Sequence, residues 1–211
     1  MEIHQDGSPV FRFSLFEKYW TNKAEAIARY FPEDAPSATN KYMEFGSEIA
    51  RKLESRPVDE QVKNITHYDI NEYRIIMQLG GHWVRGTIDS YDVNRFKFLD
   101  NKCTLVKRLK SGKWSAHSWT KKKVYEHEQL VFYSTLIQQY HGWVDDECHI
   151  SAIPYYINHG ACHLTDGKDI MIPRIITQKE RDEMLEKIIK TADEINNQYI
   201  LWKQMQILGT R

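Results

Sequence analysis

Apolar and polar positions change their rhythm several times along this chain. From Ser14 to Phe31 the apolar residues recur at helical spacing, and Ser14-Leu15-Phe16-Glu17 has the spacing of a capping box. The pattern predicts one helix there, ended by Pro32 and Pro36. A second helix is predicted from about Thr39 to Glu54, with Tyr42, Phe45, Ile49 and Leu53 on one face, before Pro57. The rhythm then shortens to two. Ile70 to Leu79 and His82 to Asp89 flank Gly80-Gly81, which reads as a hairpin turn, and Arg95 to Thr104 makes a third strand. Val124 to His141 returns to helical spacing and stops at Gly142. His149 to Ile157 and Ala161 to Ile176 read as strands around a turn at Asn158-His159-Gly160. Thr177-Gln178-Lys179-Glu180 is a second capping box and opens a long last helix. On it Ile188, Ala192, Ile195, Tyr199 and Trp202 form a stripe that fits either packing on the chain's own core or an oligomer seam.

No repeat or linker marks a boundary. The order of elements therefore predicts one α/β domain over 1–211, with an N-terminal helical extension (1–38), a core (39–176) and a C-terminal helix (177–211). A chain of 211 residues with 41% hydrophobic content buries a core without staples, and its composition excludes disordered and fibrous classes. Three cysteines make a disulfide framework a poor fit and favour a reducing, cytoplasmic setting, so the sequon at Asn64-Ile65-Thr66 carries no weight. No apolar run has the length of a membrane span, and the first residues lack the features of a secretory signal. The 29 basic and 29 acidic residues cancel, so any attraction for polyanions must be local.

The chemistry concentrates in two strands. Residues at i and i+2 of a strand share a face, so Asp100 and Lys102 point one way and Asn101 the other. Asp89 ends the preceding strand, and the intervening loop returns the chain so that Asp100 lies near it. Two carboxylates converging from adjacent strands, with the backbone carbonyl of Asn101 as a further oxygen, suit Mg²⁺ or Mn²⁺. A lysine on the same face would orient a water and neutralise an attacked phosphate. This is equipment for metal-assisted hydrolysis of a phosphodiester; the same residues also read as a solvated salt-bridge pair beside a commonplace strand-end Asp.

Downstream, the stretch from Asn101 through Tyr125 holds no acidic residue but carries Lys102, Lys107, Arg108, Lys110, Lys113, Lys121, Lys122 and Lys123, interleaved with Trp114 and Trp119. Cations for phosphate and rings for bases fit single strands or frayed ends; a solvated basic loop fits as well. Gln129 and Tyr133 then stand at i and i+4, one turn apart on a helix face. Cys148-His149 and His159-x-x-Cys162-His163 supply zinc-ligand types without tight Cys-x-x-Cys spacing, and buried cysteines with exposed histidines account for them equally.

Taken together, Gly86-Thr87-Ile88-Asp89, Asp100-Asn101-Lys102 and Gln129 to Tyr133 resemble, in order and spacing, the PD-(D/E)XK nuclease superfamily in its RecB-type branch, which includes phage and bacterial exonucleases. The resemblance covers roughly residues 40 to 200. It implies a restriction-endonuclease-like αβββαβ core with a central mixed sheet. It also implies a metal-dependent deoxyribonuclease, exonucleolytic rather than endonucleolytic, serving phage or bacterial recombination, repair or replication. On this resemblance Asp89 and Asp100 would bind Mg²⁺ or Mn²⁺, Lys102 would serve the attacking water, and Gln129 and Tyr133 would support the site. Glu72 resembles a glutamate often found on the first strand. The chain departs from the pattern where relatives carry His or Glu four residues after a helix glycine: after Gly46 the position is Ala50, and Glu48 or Glu54 would have to substitute. Asp-Asn-Lys-Cys also stands where Asp-x-Lys-Thr is usual. The resemblance thus leaves two further readings, a DNA-end or single-strand binding module that keeps the fold, and a scaffold using the C-terminal helix to form a homo-oligomer or to meet a phage recombination partner.

Overall fold

The computed structural model describes residues 1–32, 41–54, 65–165 and 168–209. The chain forms a mixed α/β fold with strands β1 (Val10–Arg12), β2 (Ile70–Leu79), β3 (His82–Asp92), β4 (Lys97–Leu105), β5 (Glu147–Asn158), β6 (Ala161–Leu164) and β7 (Ile170–Ile175). Its helices are α1 (Phe13–Thr21), α2 (Lys23–Tyr30), α3 (Lys41–Glu54), α4 (Lys121–Tyr125), α5 (Glu128–His141) and α6 (Gln178–Gly209). Pairing is parallel for β1 with β3 and β4 with β5, and antiparallel for β3 with β4 and for β5 with both β6 and β7, which makes the sheet mixed as expected. The chain divides into two compact units, one of residues 1–38, 74–86 and 178–211, the other of 39–73 and 87–177.

In the first unit, the stripe predicted on the last helix is used from within. Ile188, Ala192 and Ile195 are fully buried and Tyr199 nearly so, with Phe31 meeting the rings of Tyr199 and Trp202 edge-on. Trp20 Nε1 donates to Thr191 Oγ1 at 2.9 Å and Lys23 pairs with Glu194 at 2.8 Å, fixing α1 and α2 on α6. Gly80 sits with φ +56°, and a Cβ there would meet Ile189 Cγ2 at 2.6 Å, so both the turn and the helix behind it require glycine. The single helix expected from Ser14 to Phe31 is two. Asn22 is extended (φ −157°) and its side chain accepts the amide of Glu25, so this residue ends one helix by capping the next.

In the second unit, Ile49 and Leu53 of α3 pack on Ile65 and Ile153, with Phe45 and Cys103 against them, as the predicted face requires. Tyr42 and Glu54 have side chains outside the described residues. The helix predicted from Val124 to His141 is broken at Glu126-His127 into α4 and α5. The buried Arg174 closes the break, its guanidinium donating to the carbonyl of His127 at 2.8 Å. From Leu130 to Ile137 every residue of α5 is buried, so the helix is enclosed on all sides over its middle turns. Gly142 ends it at φ +80°. The strand predicted from Ala161 to Ile176 is two strands, β6 and β7, which pair with successive stretches of the same edge of β5, the edge away from β4.

Candidate active site

Register brings the two carboxylates together. The β3–β4 ladder ends at the Ser90–Leu99 pair, which leaves Asp89 and Asp100 as the next residue of each strand, side by side at the end of the ladder. Strand β3 continues to Asp92, three residues past the predicted end, and Asp89 is therefore inside the strand. Asp100 lies in mid-sheet, flanked on its other side by Ile150 of β5, and is only 1% exposed. Asp89 Oδ2 accepts the backbone N–H of Asn101 at 2.7 Å, which ties the two strands together at the site.

Lys102 follows Asp100 on the same face of β4, as the pleat dictates. Its Nζ lies 2.8 Å from Asp100 Oδ2, 3.1 Å from Oδ1 and 3.0 Å from Gln129 Oε1. One turn further along α5, Tyr133 Oη accepts the Gln129 amide N–H at 2.7 Å. Tyr133 thereby fixes which end of the Gln129 amide faces the lysine. Asp100, Lys102, Gln129 and Tyr133 form one continuous polar chain, and the expected residues 89, 100, 102, 129 and 133 all fall in the same unit.

Burial and the neighbouring Asp100 charge push the Asp89 carboxyl up to about 7, against the opposing pull of Lys102 and the Asn101 N–H. Burial also works against a charge on Asp100, but Lys102 and His127 outweigh it and hold that carboxyl below its ordinary value. Burial raises the Tyr133 phenol, so it remains a neutral hydroxyl at all working pH values. The pair thus holds one firm negative charge and one that a nearby cation would restore. Oxygen donors only, crowded by like charge, are the chemistry of a hard divalent cation site.

A cavity of about 170 Å³ opens onto Asp89, lined by Ala50, Asn71, Glu72, Asp89, Asn101 and Lys102 among others, with Asp100 buried behind Lys102. Ala50, the residue that departs from the nuclease pattern, is on its wall. Glu48 is not: it pairs with Lys52 at 2.9 Å on the exposed side of α3. Glu72, in β2, lines the cavity from a left-handed backbone (φ +52°), and its charge contributes to the rise at Asp89. Among the described residues no three His, Cys, Asp or Glu side chains converge on one point, at this cavity or around Cys148, His149, Cys162 and His163.

His127, which sequence reasoning missed, places Nε2 3.8 Å from Asp100 Oδ2. Its only sequence signal is its place two residues before Gln129, at the start of α5. The basic segment divides. Trp119, expected to offer a ring to bases, is 8% exposed and packed edge-on against His127, with the Lys123 ammonium 4.2 Å from its ring centre. Lys121 and Lys122 are exposed on α4, Lys122 within 3.7 Å of Glu126. Lys107, Arg108, Lys110, Lys113 and Trp114 belong to a separate hairpin beyond the end of β4.

No family model matches this chain. No curated protein matches it either. Among solved structures, it is similar to a phage-related exonuclease from Haemophilus somnus 129PT, at 15% identity and a TM-score of 0.45, over 90% of this chain and 82% of that one. It is also similar to a candidate exonuclease from Eubacterium rectale, at 14% identity and a TM-score of 0.38; 88% of this chain is covered, and it spans 65% of that protein. Among the described residues no helix is long and apolar enough to cross a membrane.

Proposed function

We propose that this chain is a divalent-metal-dependent DNA nuclease of the RecB-type PD-(D/E)XK class, acting on single-stranded DNA or duplex ends by exonucleolytic hydrolysis. The observation that carries the reading is the polar chain from Asp100 through Lys102 and Gln129 to Tyr133 beside Asp89, which is bound to the Asn101 N–H. A salt bridge that served stability alone would need neither the Gln129–Tyr133 brace nor a second carboxylate crowded against the first. Asp89, Asp100 and the Asn101 carbonyl would hold Mg²⁺ or Mn²⁺, with Glu72 on the same cavity wall. When bound, the cation supplies Lewis acidity and neutralises charge on the phosphate.

The chain's own residues do the remaining work. Lys102, held by Asp100 and Gln129, orients the attacking water and offsets charge gathering on the non-bridging phosphate oxygens. The water oxygen bonds to phosphorus as the bond to the leaving sugar oxygen breaks, one proton passing to solvent and one returning to the sugar. Tyr133, by fixing the Gln129 amide, keeps the lysine in register; it is a positioning residue.

Ala50 favours a second reading, in which the same site binds DNA ends without turnover, because the cavity wall has a methyl group where relatives place a ligand. One assay separates the two. End-labelled linear and circular DNA is incubated with Mg²⁺, Mn²⁺ or EDTA, using wild type and Asp100→Ala. Metal-dependent shortening of linear DNA, lost in the variant, supports the nuclease. Salt-sensitive binding by wild type with no cleavage under either metal selects the binding module.

A further inference from the structure

The hairpin beyond β4 builds a second cavity. After Leu105 the chain stays beside β5 through the Val106 N–H to Tyr155 carbonyl bond of 2.8 Å, then turns back on itself. Arg108 bridges Trp114, Leu109 N–H donates to the Lys113 carbonyl, and Lys107 and Ser115 exchange bonds of 2.8 and 2.9 Å. The turn at Gly112 (φ +80°) closes it. This geometry sets Trp114 against Tyr156 of β5, ring centres 5.0 Å apart, with the Arg108 guanidinium 5.9 Å from the Trp114 ring. Tyr156 is backed in turn by its cross-strand partner His163, ring centres 5.4 Å apart. The cavity, about 530 Å³, is lined by Lys107, Arg108, Trp114, Tyr156 and Asn158, among others. Its volume lies in the range of small-ligand sites.

Two features distinguish this place from a solvated loop. Trp114 and Tyr156 are both half-buried and both line the cavity, so they meet its contents with rings already ordered by their neighbours. Lys107, Arg108, Lys110 and Lys113 have no carboxylate partner among the described residues; Lys107 and Arg108 line the cavity beside the rings, and Lys110 and Lys113 add their charge along the same hairpin. Rings flanked by free cations, with an amide at Asn158, are complementary to a base joined to phosphates. Leu105, on the cavity wall, is three residues from Lys102 along one strand, roughly 10 Å at the rise of a β-strand.

We infer that the Trp114–Tyr156 cavity is a nucleotide subsite that stacks one unpaired base of single-stranded DNA, with Lys107 and Arg108 on the flanking phosphates. The inference rests on DNA being the substrate, and it names the part of the strand gripped outside the Asp89–Asp100 pair. A duplex presents no free base face here, so the subsite selects a single-stranded run. The previously expected stacking residue Trp119 has no part in it, and Tyr156, unmarked by the sequence, does.

The test is anisotropy of a fluorescein-labelled oligothymidylate with the full chain in EDTA, where no cleavage occurs. Trp114→Ala and Tyr156→Ala are each expected to weaken binding at least fivefold, as loss of base stacking does, with Tyr156→Phe close to wild type. Lys107→Ala with Arg108→Ala should lower the slope of affinity against salt, and an abasic strand of equal length should bind wild type as weakly as the Trp114 variant binds thymidylate. Unaltered melting temperatures in all variants assign the losses to the subsite. Equal binding of the abasic strand, or unchanged affinity in both ring variants, overturns the inference. Binding that behaves as expected while wild type cleaves no DNA with Mg²⁺ or Mn²⁺ overturns the nuclease reading and leaves the subsite standing.

Discussion

Replacing Asp89 by Asn should stabilise the metal-free protein, by an amount that grows with pH. The folded carboxyl titrates near 7 because burial and the Asp100 charge disfavour its ionised form, against an ordinary value of 3.8. Between those values the unfolded chain has released this proton and the folded chain retains it. The unfolded state therefore binds fewer protons, and stability falls as pH rises through the window. At about 1.36 kcal/mol per pH unit, the full penalty above pH 7 is at most about 4 kcal/mol, a ceiling because Asp100 and Lys102 share the charge. Asparagine removes the penalty while its side-chain oxygen still accepts the Asn101 N–H that Asp89 takes at 2.7 Å. In EDTA, the melting temperature of Asp89→Asn minus that of wild type should increase between pH 5 and 8.5 by up to about 3 kcal/mol, or about 6–12 °C. Adding Mg²⁺ at pH 8.5 should raise wild type and leave the variant nearly unmoved. A difference independent of pH, or a wild type more stable than the variant at pH 8.5 in EDTA, would refute the crowded-carboxylate reasoning.

Three further outcomes follow from the same contacts. Tyr133→Phe removes the acceptor that orients the Gln129 amide, so cleavage should fall about tenfold in kcat, with KM and melting temperature little changed; an unaltered kcat would remove Tyr133 from the site. Gly80→Ala forces a methyl group to 2.6 Å from Ile189 at a positive φ, and should cost about 2–4 kcal/mol in urea unfolding; a cost under about 0.5 kcal/mol would contradict the close approach. Arg174→Met removes the shorter of two donors from the His127 carbonyl, leaving only the Leu130 N–H at 3.2 Å, and denaturant titration should register a loss of about 1–3 kcal/mol; an equally stable variant would show that the helix break needs no such bond.

The candidate site was legible because its spacing rules are short. Period two put Asp100 and Lys102 on one face, and helical period put Gln129 beneath Tyr133; both hold in the fold. The nearness of Asp89 to Asp100 follows from where the β3–β4 ladder ends, which depends on where the loop lets the strands meet. What was lost lies in tertiary context. Strand β1 is three residues long, too short for periodicity, and exists through its parallel pairing with β3. Asn22 interrupts an unbroken apolar rhythm because its side chain caps the following helix, a competition that hydrophobic spacing does not record. The division between α4 and α5 depends on Arg174, distant in sequence. Trp119 and Trp114 look alike in the basic segment, yet one is buried against His127 and the other shares a cavity with Tyr156, because only the hairpin after β4 separates them. His127 reaches Asp100 by the same break that divides the helices.

The most direct measurement is cleavage of a single-stranded oligonucleotide in H₂¹⁸O with Mg²⁺ or Mn²⁺, read by mass spectrometry beside Asp100→Ala and Lys102→Ala. Wild type is expected to release products whose new terminal phosphate carries one ¹⁸O, with none formed in EDTA or by either variant. A folded wild type that leaves the strand intact under both metals, or variants that cleave as wild type does, would contradict the assignment of Asp89, Asp100 and Lys102 as a hydrolytic centre.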